Sequence, residues 1–184
     1  MKCYIHIAVR KLFLKLLIIS SLFFAIACNQ YYTNQNIEIK EDGLIYKVGQ
    51  DNPYTGRIID TLQNKVVEYD VVNGMKNGEF SLSSEEGIVS IYGIIKDNRN
   101  IGEWKYFYPN GQLETTGNFN YDKPHGKWVW YYSNGSIKGT GTFLNGYKTG
   151  TWYRYNLEGR LLSITLYEEG ERINEIEFNP NTNV

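Results

Sequence analysis

The chain is predicted to be all-β, an elongated single-layer antiparallel β-meander of stacked 24-residue hairpin repeats. Glycine recurs every 24 residues on two interleaved tracks, which are Gly78, Gly102, Gly126, Gly150 and Gly87, Gly111, Gly135, Gly159. An aromatic residue follows each glycine of the first track two positions later, and proline occurs only 4 times. A fixed period of this length is typical of an array in which one supersecondary unit stacks on copies of itself.

The first 27 residues are predicted to be a lipoprotein signal peptide that precedes this fold. Four basic residues in the first 15 are followed by an apolar run over 16–27, which is the length of a signal-peptide core and too short to span a bilayer. The run ends in Ala25-Ile26-Ala27-Cys28, which resembles a bacterial lipobox. We therefore expect acylation of Cys28 and a membrane-anchored place in a bacterial cell envelope. Ordinary cleavage after Ala27, or a retained anchor, are the alternatives.

The exported part of the chain is acidic and has no cysteine pair. Only Cys3 and Cys28 occur, and Cys3 leaves with the signal, so no disulfide within the exported chain is expected. Removing residues 1–27 takes away four of the 19 basic residues and none of the 20 acidic ones, which leaves a net charge of −5. This charge argues against binding of nucleic acid or of an anionic lipid surface through bulk electrostatics.

The remaining sequence divides into three parts. Residues 28–42 are polar and aperiodic and are predicted to be a flexible tether. Residues 43–173 are predicted to be the repeat domain, and residues 174–184 a C-terminal tail. The domain begins with a degenerate unit over 43–72, and the clear units that follow are 78–101, 102–125, 126–149 and 150–173.

Residues 102–125 serve as the type unit. The aromatic segment from Trp104 to Tyr108 favours a strand, and Asn110-Gly111 predicts a two-residue type I′ hairpin turn. The return strand is expected over 112–120, with the six residues 121–126 turning the chain into the next unit. A two-residue loop predicts the opposite pairs Tyr108 with Leu113, Tyr106 with Thr115, and Trp104 with Gly117.

A third glycine track, Gly93, Gly117 and Gly141, lies on the return strands. The pairing predicts an indole over glycine, with Trp104 facing Gly117, an arrangement that covers exposed backbone. In the last unit Thr165 replaces the glycine opposite Trp152, so looser packing is expected there.

The motif G-x-W-x-x-[YF]-Y-x-N-G-x-[LI]-x-x-x-G resembles the bacterial variant of the MORN repeat. One copy starts at Gly102 and ends at Gly117, and a second starts at Gly126 and ends at Gly141. The resemblance covers about residues 43–172 and implies an antiparallel sheet of stacked hairpins. Similar proteins are often labelled antitoxin-like, of the YwqK type, and MORN repeats more generally act in protein–protein contact and membrane tethering. The family provides no catalytic motif.

The aromatic residues of one sheet face are the candidate partner-binding surface. Large rings with polar tips are enriched at interfaces, although the same rings also serve as packing within a single-layered sheet. The candidate residues are Trp104, Tyr106, Tyr108, Trp128, Trp130 and Tyr132.

Catalysis and cofactor binding are not expected. His125 is the single histidine outside residues 1–27, and it is interpreted as a solvent-facing turn residue rather than a general base. One histidine and one acylated cysteine cannot supply the nitrogen and sulfur ligands of a metal site. A glycan hydrolase needs two positioned carboxylates, for which Glu103 and Glu114 are the candidates, but neither recurs in the next unit.

Two functions from different classes follow. The leading hypothesis is a non-enzymatic, lipid-anchored envelope protein whose repeat sheet binds or organises an unidentified protein partner. The alternative is an antitoxin or immunity factor that neutralises a partner toxin.

Overall fold

A computed structural model describes residues 36–179, which form thirteen β-strands and no helix. None of these residues therefore lies in a helix that could cross a membrane. The predicted signal peptide and Cys28 lie outside the described residues. The strands are β1 (Ile37–Ile39), β2 (Ile45–Lys47), β3 (Gly56–Leu62), β4 (Lys65–Val72), β5 (Met75–Ser84), β6 (Val89–Lys96), β7 (Arg99–Phe107), β8 (Leu113–Asn120), β9 (Lys123–Tyr131), β10 (Ile137–Leu144), β11 (Tyr147–Tyr155), β12 (Leu161–Glu168) and β13 (Glu171–Glu177).

Strands β3 to β13 form one open sheet in which spatial order equals sequence order and every neighbouring pair is antiparallel. Strands β1 and β2 form a separate two-stranded sheet. The all-β meander that the glycine period predicted is therefore confirmed. Each clear repeat contributes two strands. Because consecutive strands are antiparallel neighbours, short hairpin connections are enough to join them.

The hairpin of β1 and β2 packs on the first strands of the large sheet. Ile45 lies in a small core with Ile58 and Val71, which are 0% and 1% exposed, and Ile37 packs against that core. The backbone N–H of Ile45 donates to the carbonyl of Gly74 at 3.0 Å. Strand β1 thus lies within residues 28–42, which were predicted to be a flexible tether, and its Ile37 packs against this core.

The fold also continues past the predicted boundary at residue 173. Strand β13 runs to Glu177 and pairs with β12 along its length, from Glu168 opposite Glu171 to Ser163 opposite Glu177. It occupies the position of the first strand of a further repeat. The predicted tail of residues 174–184 therefore begins within a strand, because the last complete hairpin still has a free edge on which a strand can pair.

The connections on the two sides of the sheet differ, except that the first hairpin, β3–β4, also has a two-residue turn with positive φ at both centres, Gln63-Asn64. On one side five two-residue turns have positive φ at both centres, which is the signature of type I′. These turns are Asn73-Gly74, Asp97-Asn98, Tyr121-Asp122, Asn145-Gly146 and Glu169-Gly170. The chain therefore passes between units in two residues, rather than the six expected over 121–126.

The type I′ turn predicted at Asn110-Gly111 is wrong. Gly111 has φ of 80°, but Asn110 is not in the left-handed region. The N–H of Gly111 donates to the carbonyl of Tyr108 at 2.9 Å, and that of Tyr108 donates to the carbonyl of Gln112 at 2.8 Å. These bonds define a type I turn followed by a glycine bulge, a geometry that suits Pro109 at the first central position.

The longer loop shifts the register near the turn only. Trp104 lies opposite Gly117 and Tyr106 opposite Thr115, as predicted. Beyond a bulge, Phe107 rather than Tyr108 lies opposite Leu113. Strand β7 ends at Phe107, and Tyr108 belongs to the loop, because the three-residue loop is one residue longer than the predicted turn.

The G-x-W motif forms a β-bulge at the start of each repeat. Tyr92 lies opposite Lys105 and Ile94 opposite Ile101, so residues 102–104 oppose Gly93 alone. Gly102 begins the bulge with φ of 62°, a conformation that favours glycine. Gly126 and Gly150 have φ of 73° and 64° at the equivalent positions.

Each bulge lays its tryptophan over the glycine of the preceding strand. A Cβ added to Gly93, Gly117 or Gly141 would lie 2.1–2.2 Å from the indole Cδ2 of Trp104, Trp128 or Trp152 respectively. The prediction that Trp104 covers Gly117 is therefore wrong, although the two are opposite in register. The bulge turns the ring toward the glycine eleven residues earlier in the sequence.

The same geometry explains Thr165. The residue eleven positions after it is Ile176, which is exposed, so no indole requires a glycine at 165. Trp152 keeps its contact with Gly141 but is half-buried, whereas Trp104 and Trp128 are 3% and 5% exposed. One repeat earlier, Trp130 stacks on Trp128, but Arg154 occupies the position equivalent to Trp130 beside Trp152. An open depression of about 260 Å³ lies beside Trp152.

Candidate functional site

One face of the sheet carries a continuous series of aromatic contacts, which we call the aromatic ladder. Successive ring centroids are 5.0–5.9 Å apart, mostly edge to face. Such pairs contribute about 0.5–1.5 kcal/mol each beyond the area they bury. The rings of the ladder are Phe80, Trp104, Phe119, Trp128, Phe143, Trp152 and Tyr167.

The structure separates the six predicted binding residues into two groups. Trp104 and Trp128 are buried in the ladder, with their indole N–H groups donating at 3.2 Å to the carbonyls of Ile94 and Asn118. They hold neighbouring repeats together and present little surface. The other four are half-buried, and they are Tyr106, Tyr108, Trp130 and Tyr132. A role in partner binding stays a prediction for these residues.

Tyr108 and Tyr132 link each repeat to the next at the three-residue loops. The Tyr108 hydroxyl donates to the carbonyl of Tyr131 at 2.7 Å, and the Tyr132 hydroxyl donates to that of Tyr155 at 2.8 Å. Each bond reaches over the intervening return strand. The 24-residue recurrence of the tyrosine is a signal of this link, but the acceptor is a backbone carbonyl that no motif marks.

Tyr106 and Trp130 belong to a second row beside the ladder, which we call the apolar row. Its members lie directly opposite one another across six consecutive strands, and all are half-buried except the buried Thr115. Burial raises the pKa of Tyr106 to about 12. The residues of the apolar row are Val67, Leu82, Ile91, Tyr106, Thr115 and Trp130.

Past Trp130 the apolar row changes character. Its next positions are Gly139, Arg154 and Ser163, which are opposite one another in β10, β11 and β12. Lys148 lies 4.6 Å from the ring centroid of Trp152 and 4.8 Å from that of Tyr167. The continuous apolar surface is thus confined to β4–β9, and the following strands present cations beside rings.

The opposite face carries a charge cluster around Arg57. Its guanidinium Nε lies 2.8 Å from Asp70, and its other nitrogens lie 3.4 Å from Glu79 and 3.8 Å from Glu68. The hydrogen bond from Arg57 lowers the pKa of Asp70 and raises that of the guanidinium. The Tyr92 hydroxyl donates to Glu79 at 3.1 Å. The sequence did not predict this pairing, because β3 and β4 belong to the degenerate unit over 43–72, where no repeat motif sets the register.

The carboxylates considered for glycan hydrolysis do not come together. Glu103 lies 3.0 Å from Lys105 and accepts a hydrogen bond from Thr116, and the hydrogen bond from Lys105 lowers its pKa. A general acid requires the opposite shift. Glu103 is opposite Asn118, four residues along β8 from Glu114, which corresponds to about 13 Å of strand. Glycosidase carboxylates are about 5–9.5 Å apart.

His125 is not the exposed turn residue that the sequence indicated. It lies in β9 opposite Asn118, because the turn ends at Asp122, and its side chain is half-buried. Within residues 36–179 its Nδ1 atom is buried and has no hydrogen-bond partner. Over the same residues, no cluster of three or more His, Cys, Asp or Glu side chains could hold a metal ion.

Comparison with known protein families gives two matches in this part of the sheet. Residues 101–121 and 124–145 each match the model of the MORN repeat variant. The two segments coincide with the two repeats that hold Trp104 and Trp128. MORN repeats in general are motifs that bind proteins or membranes. No curated protein matches the chain significantly.

Solved structures with partial similarity include TarM from S. aureus, in a mutant form in complex with Fondaparinux, alpha-GlcNAc-glycerol and UDP, at 16% identity and a TM-score of 0.34. The GtfA/B complex bound to UDP and GlcNAc follows at 12% identity and 0.24, and accessory secretory protein 1,2 and 3 of Streptococcus pneumoniae at 16% and 0.18. The alignments cover 78%, 70% and 81% of this chain but only 27%, 27% and 23% of those chains.

Proposed function

We propose that the protein is a non-enzymatic lipoprotein of a bacterial envelope whose repeat sheet is a binding surface for another protein. The observation that carries this proposal is the apolar row. Five half-buried apolar or aromatic side chains lie along one sheet face across β4–β9, beside the ladder that already holds the repeats together. A surface of this kind gives contact area without requiring the sheet to reorganise.

Within this row Tyr106 and Trp130 are the expected anchors. Both rings combine large area with a polar tip, and such residues dominate the energetics of protein interfaces. Tyr106 in β7 and Trp130 in β9 both lie opposite Thr115, in the two strands that flank β8. A partner strand or loop laid along the row would contact both rings at once.

The test compares a double variant, Tyr106→Ala with Trp130→Ala, with a control variant, Tyr92→Ala, whose side chain lies on the opposite face. Each protein is expressed in its envelope context and used for proximity labelling, with circular dichroism to verify the fold. The proposal expects labelled neighbours to be lost from the double variant and kept in Tyr92→Ala. An identical set of neighbours in all three proteins would remove the apolar row from consideration. A toxin among the lost neighbours would assign the protein the immunity role.

The anchoring half of the proposal rests on Cys28. Metabolic labelling with an alkyne fatty acid is expected to mark the wild type and not Cys28→Ser, since the fatty-acid-bearing lipid is attached to that sulfur through a thioether. Equal labelling of the two proteins would refute a lipid at this position and leave the binding surface without its membrane tether.

A further inference from the structure

The two ends of the large sheet are finished differently. At the β3 end, the hairpin of β1 and β2 covers the face and buries Ile58 and Val71. At the other end, strand β13 pairs with β12 and, among residues 36–179, with no other strand. About half of the backbone N–H and C=O groups of such an edge strand point away from the sheet and can pair with another chain.

The free edge is strongly acidic. Residues 168–177 hold five glutamates and one arginine, which gives this segment a net charge of −4. Arg172 pairs with Glu175, and Arg154 lies 3.6 Å from Glu177. Glu168, Glu169 and Glu171 form no ion pair with any described residue. Their charge is therefore directed to solvent at and beside the unpaired backbone.

Exposed apolar side chains accompany these charges. Ile173, Ile176 and Phe178 are 55%, 51% and 38% exposed, and the last two alternate in the sequence with Glu175 and Glu177. In a finished array the terminal unit presents a polar outer surface. This end instead combines unpaired backbone, isolated apolar side chains and one sign of charge.

We propose that β13 binds an extended, basic segment of a partner protein, which adds to the sheet as a further strand. The backbone supplies the hydrogen bonds, Ile173 and Ile176 supply apolar contact, and the glutamates select lysine- or arginine-rich segments. A second copy of the chain is the poorer occupant, because pairing two β13 strands places glutamates of like charge across from each other. The inference rests on the proposed role in protein binding but uses a different surface from the apolar row.

The experiment uses the full chain in detergent and a fluorescent decapeptide that alternates lysine with valine. Anisotropy is expected to show binding that weakens as salt rises, with slowed amide hydrogen exchange confined to residues 171–177 and their β12 partners. A peptide of the same charge with N-methyl groups on alternate residues is expected to lose binding at least tenfold, because it cannot complete the ladder.

Two charge-reversed variants make the test specific. The double variant Glu171→Lys with Glu177→Lys is expected to bind the lysine peptide at least tenfold more weakly than the wild type does. It is expected to bind a peptide in which glutamate replaces lysine. Glu85→Lys with Glu86→Lys changes the net charge equally at two exposed positions of the β5–β6 loop, away from β13, and is expected to bind as the wild type does. If the first pair disrupts the fold by circular dichroism, Glu171→Gln with Glu177→Gln replaces it, and a weaker loss in the same direction is expected.

The outcomes separate this inference from the apolar row. The Tyr106→Ala, Trp130→Ala protein is expected to bind the lysine peptide with unchanged affinity. Equal binding of the N-methylated peptide, equal loss in both charge-reversed pairs, or exchange protection away from β13 would each overturn the proposed strand addition.

Discussion

At the scale of single residues, the pairing of a glycine with a tryptophan eleven positions later holds the repeats together. A side chain at Gly117 has no room, since its Cβ would lie 2.1 Å from the Trp128 ring. The backbone of Gly117 is not in the left-handed region, so the restriction is one of space. The sequence predicted that indole and glycine meet, but it paired them within a hairpin. The correct pairing depends on the bulge, which turns the ring away from its own hairpin partner and toward the strand that precedes it in the sequence.

Gly117→Ala is therefore expected to destabilise the protein by about 1–3 kcal/mol, the usual cost of overpacking a filled site. The free energy of unfolding is measured in urea. In a Trp128→Ala background the same substitution is expected to cost almost nothing, because the obstructing ring is gone. An equal cost in both backgrounds would show that the glycine serves the backbone instead.

Lys76 gives the protein a pH dependence that can be assigned to one group. Burial lowers the pKa of Lys76 to about 8, and its ammonium lies 4.7 Å from the ring centroid of Tyr69. In the unfolded chain a lysine titrates near about 10.4. Between these values the unfolded state binds more protons than the folded state, so stability rises with pH.

The expected profile is a rise in the urea midpoint from about pH 8 to 10, then a fall at higher pH. The fall follows because burial raises the pKa of Tyr69 and of Tyr106 to about 12, so that the unfolded chain loses these protons first. Lys76→Met is expected to remove the rise, whereas Lys127→Met on the exposed surface is expected to keep it. A rise that survives in Lys76→Met would assign it to other groups.

At the scale of elements, the turns show which local signals can be read from sequence and which cannot. The sequence predicted a tight turn at Asn110-Gly111, where the structure has a looser three-residue loop. It spread the next turn over residues 121–126, where the structure has a two-residue turn at Tyr121-Asp122 with φ of 47° and 67°. Tyrosine is a poor residue for a left-handed position, so composition gave no signal there. The turn forms because the strands on both sides are held by their neighbours.

Tyr121→Asn is accordingly expected to stabilise the protein by about 1 kcal/mol, since asparagine tolerates the left-handed region better than tyrosine. The side chain is about half exposed, at 48%, so little contact is lost. The matched control is Asn145→Tyr at the equivalent turn, which is expected to destabilise by a similar amount. Thermal unfolding of both variants decides the matter, and a loss of stability in Tyr121→Asn would contradict the strained-turn account.

At the scale of the whole molecule, period and pairing order were predictable because every strand contacts the next along the chain. The two ends of the repeat domain were harder to predict. Strand β1 has only Ile37 and Ile39 to mark it, and β13 lacks the G-x-W motif. Trp104 and Trp128 were predicted to belong to the binding surface. Their burial could not be predicted from the sequence, because it depends on rings of neighbouring repeats. The acidic edge at β13 was visible as charge but not as an unpaired strand.

An array built this way has a stability that is the sum of its repeats and of the interfaces between neighbours. The two matched repeats carry the same Gly, bulge and Trp arrangement, so one of them can be removed without changing how the rest pair. Deleting residues 102–125 joins Ile101 to Gly126 and places Trp128 over Gly93. Twenty-two-residue deletions from the same point break that match and serve as the control.

Urea unfolding of the 102–125 deletion, followed by circular dichroism and tryptophan fluorescence, tests most directly that these modules are interchangeable. The expected result is a folded β-protein with one cooperative transition at a lower midpoint than the full chain, and an unfolded or aggregated control. An unfolded 24-residue deletion, or a control that folds equally well, would contradict the account.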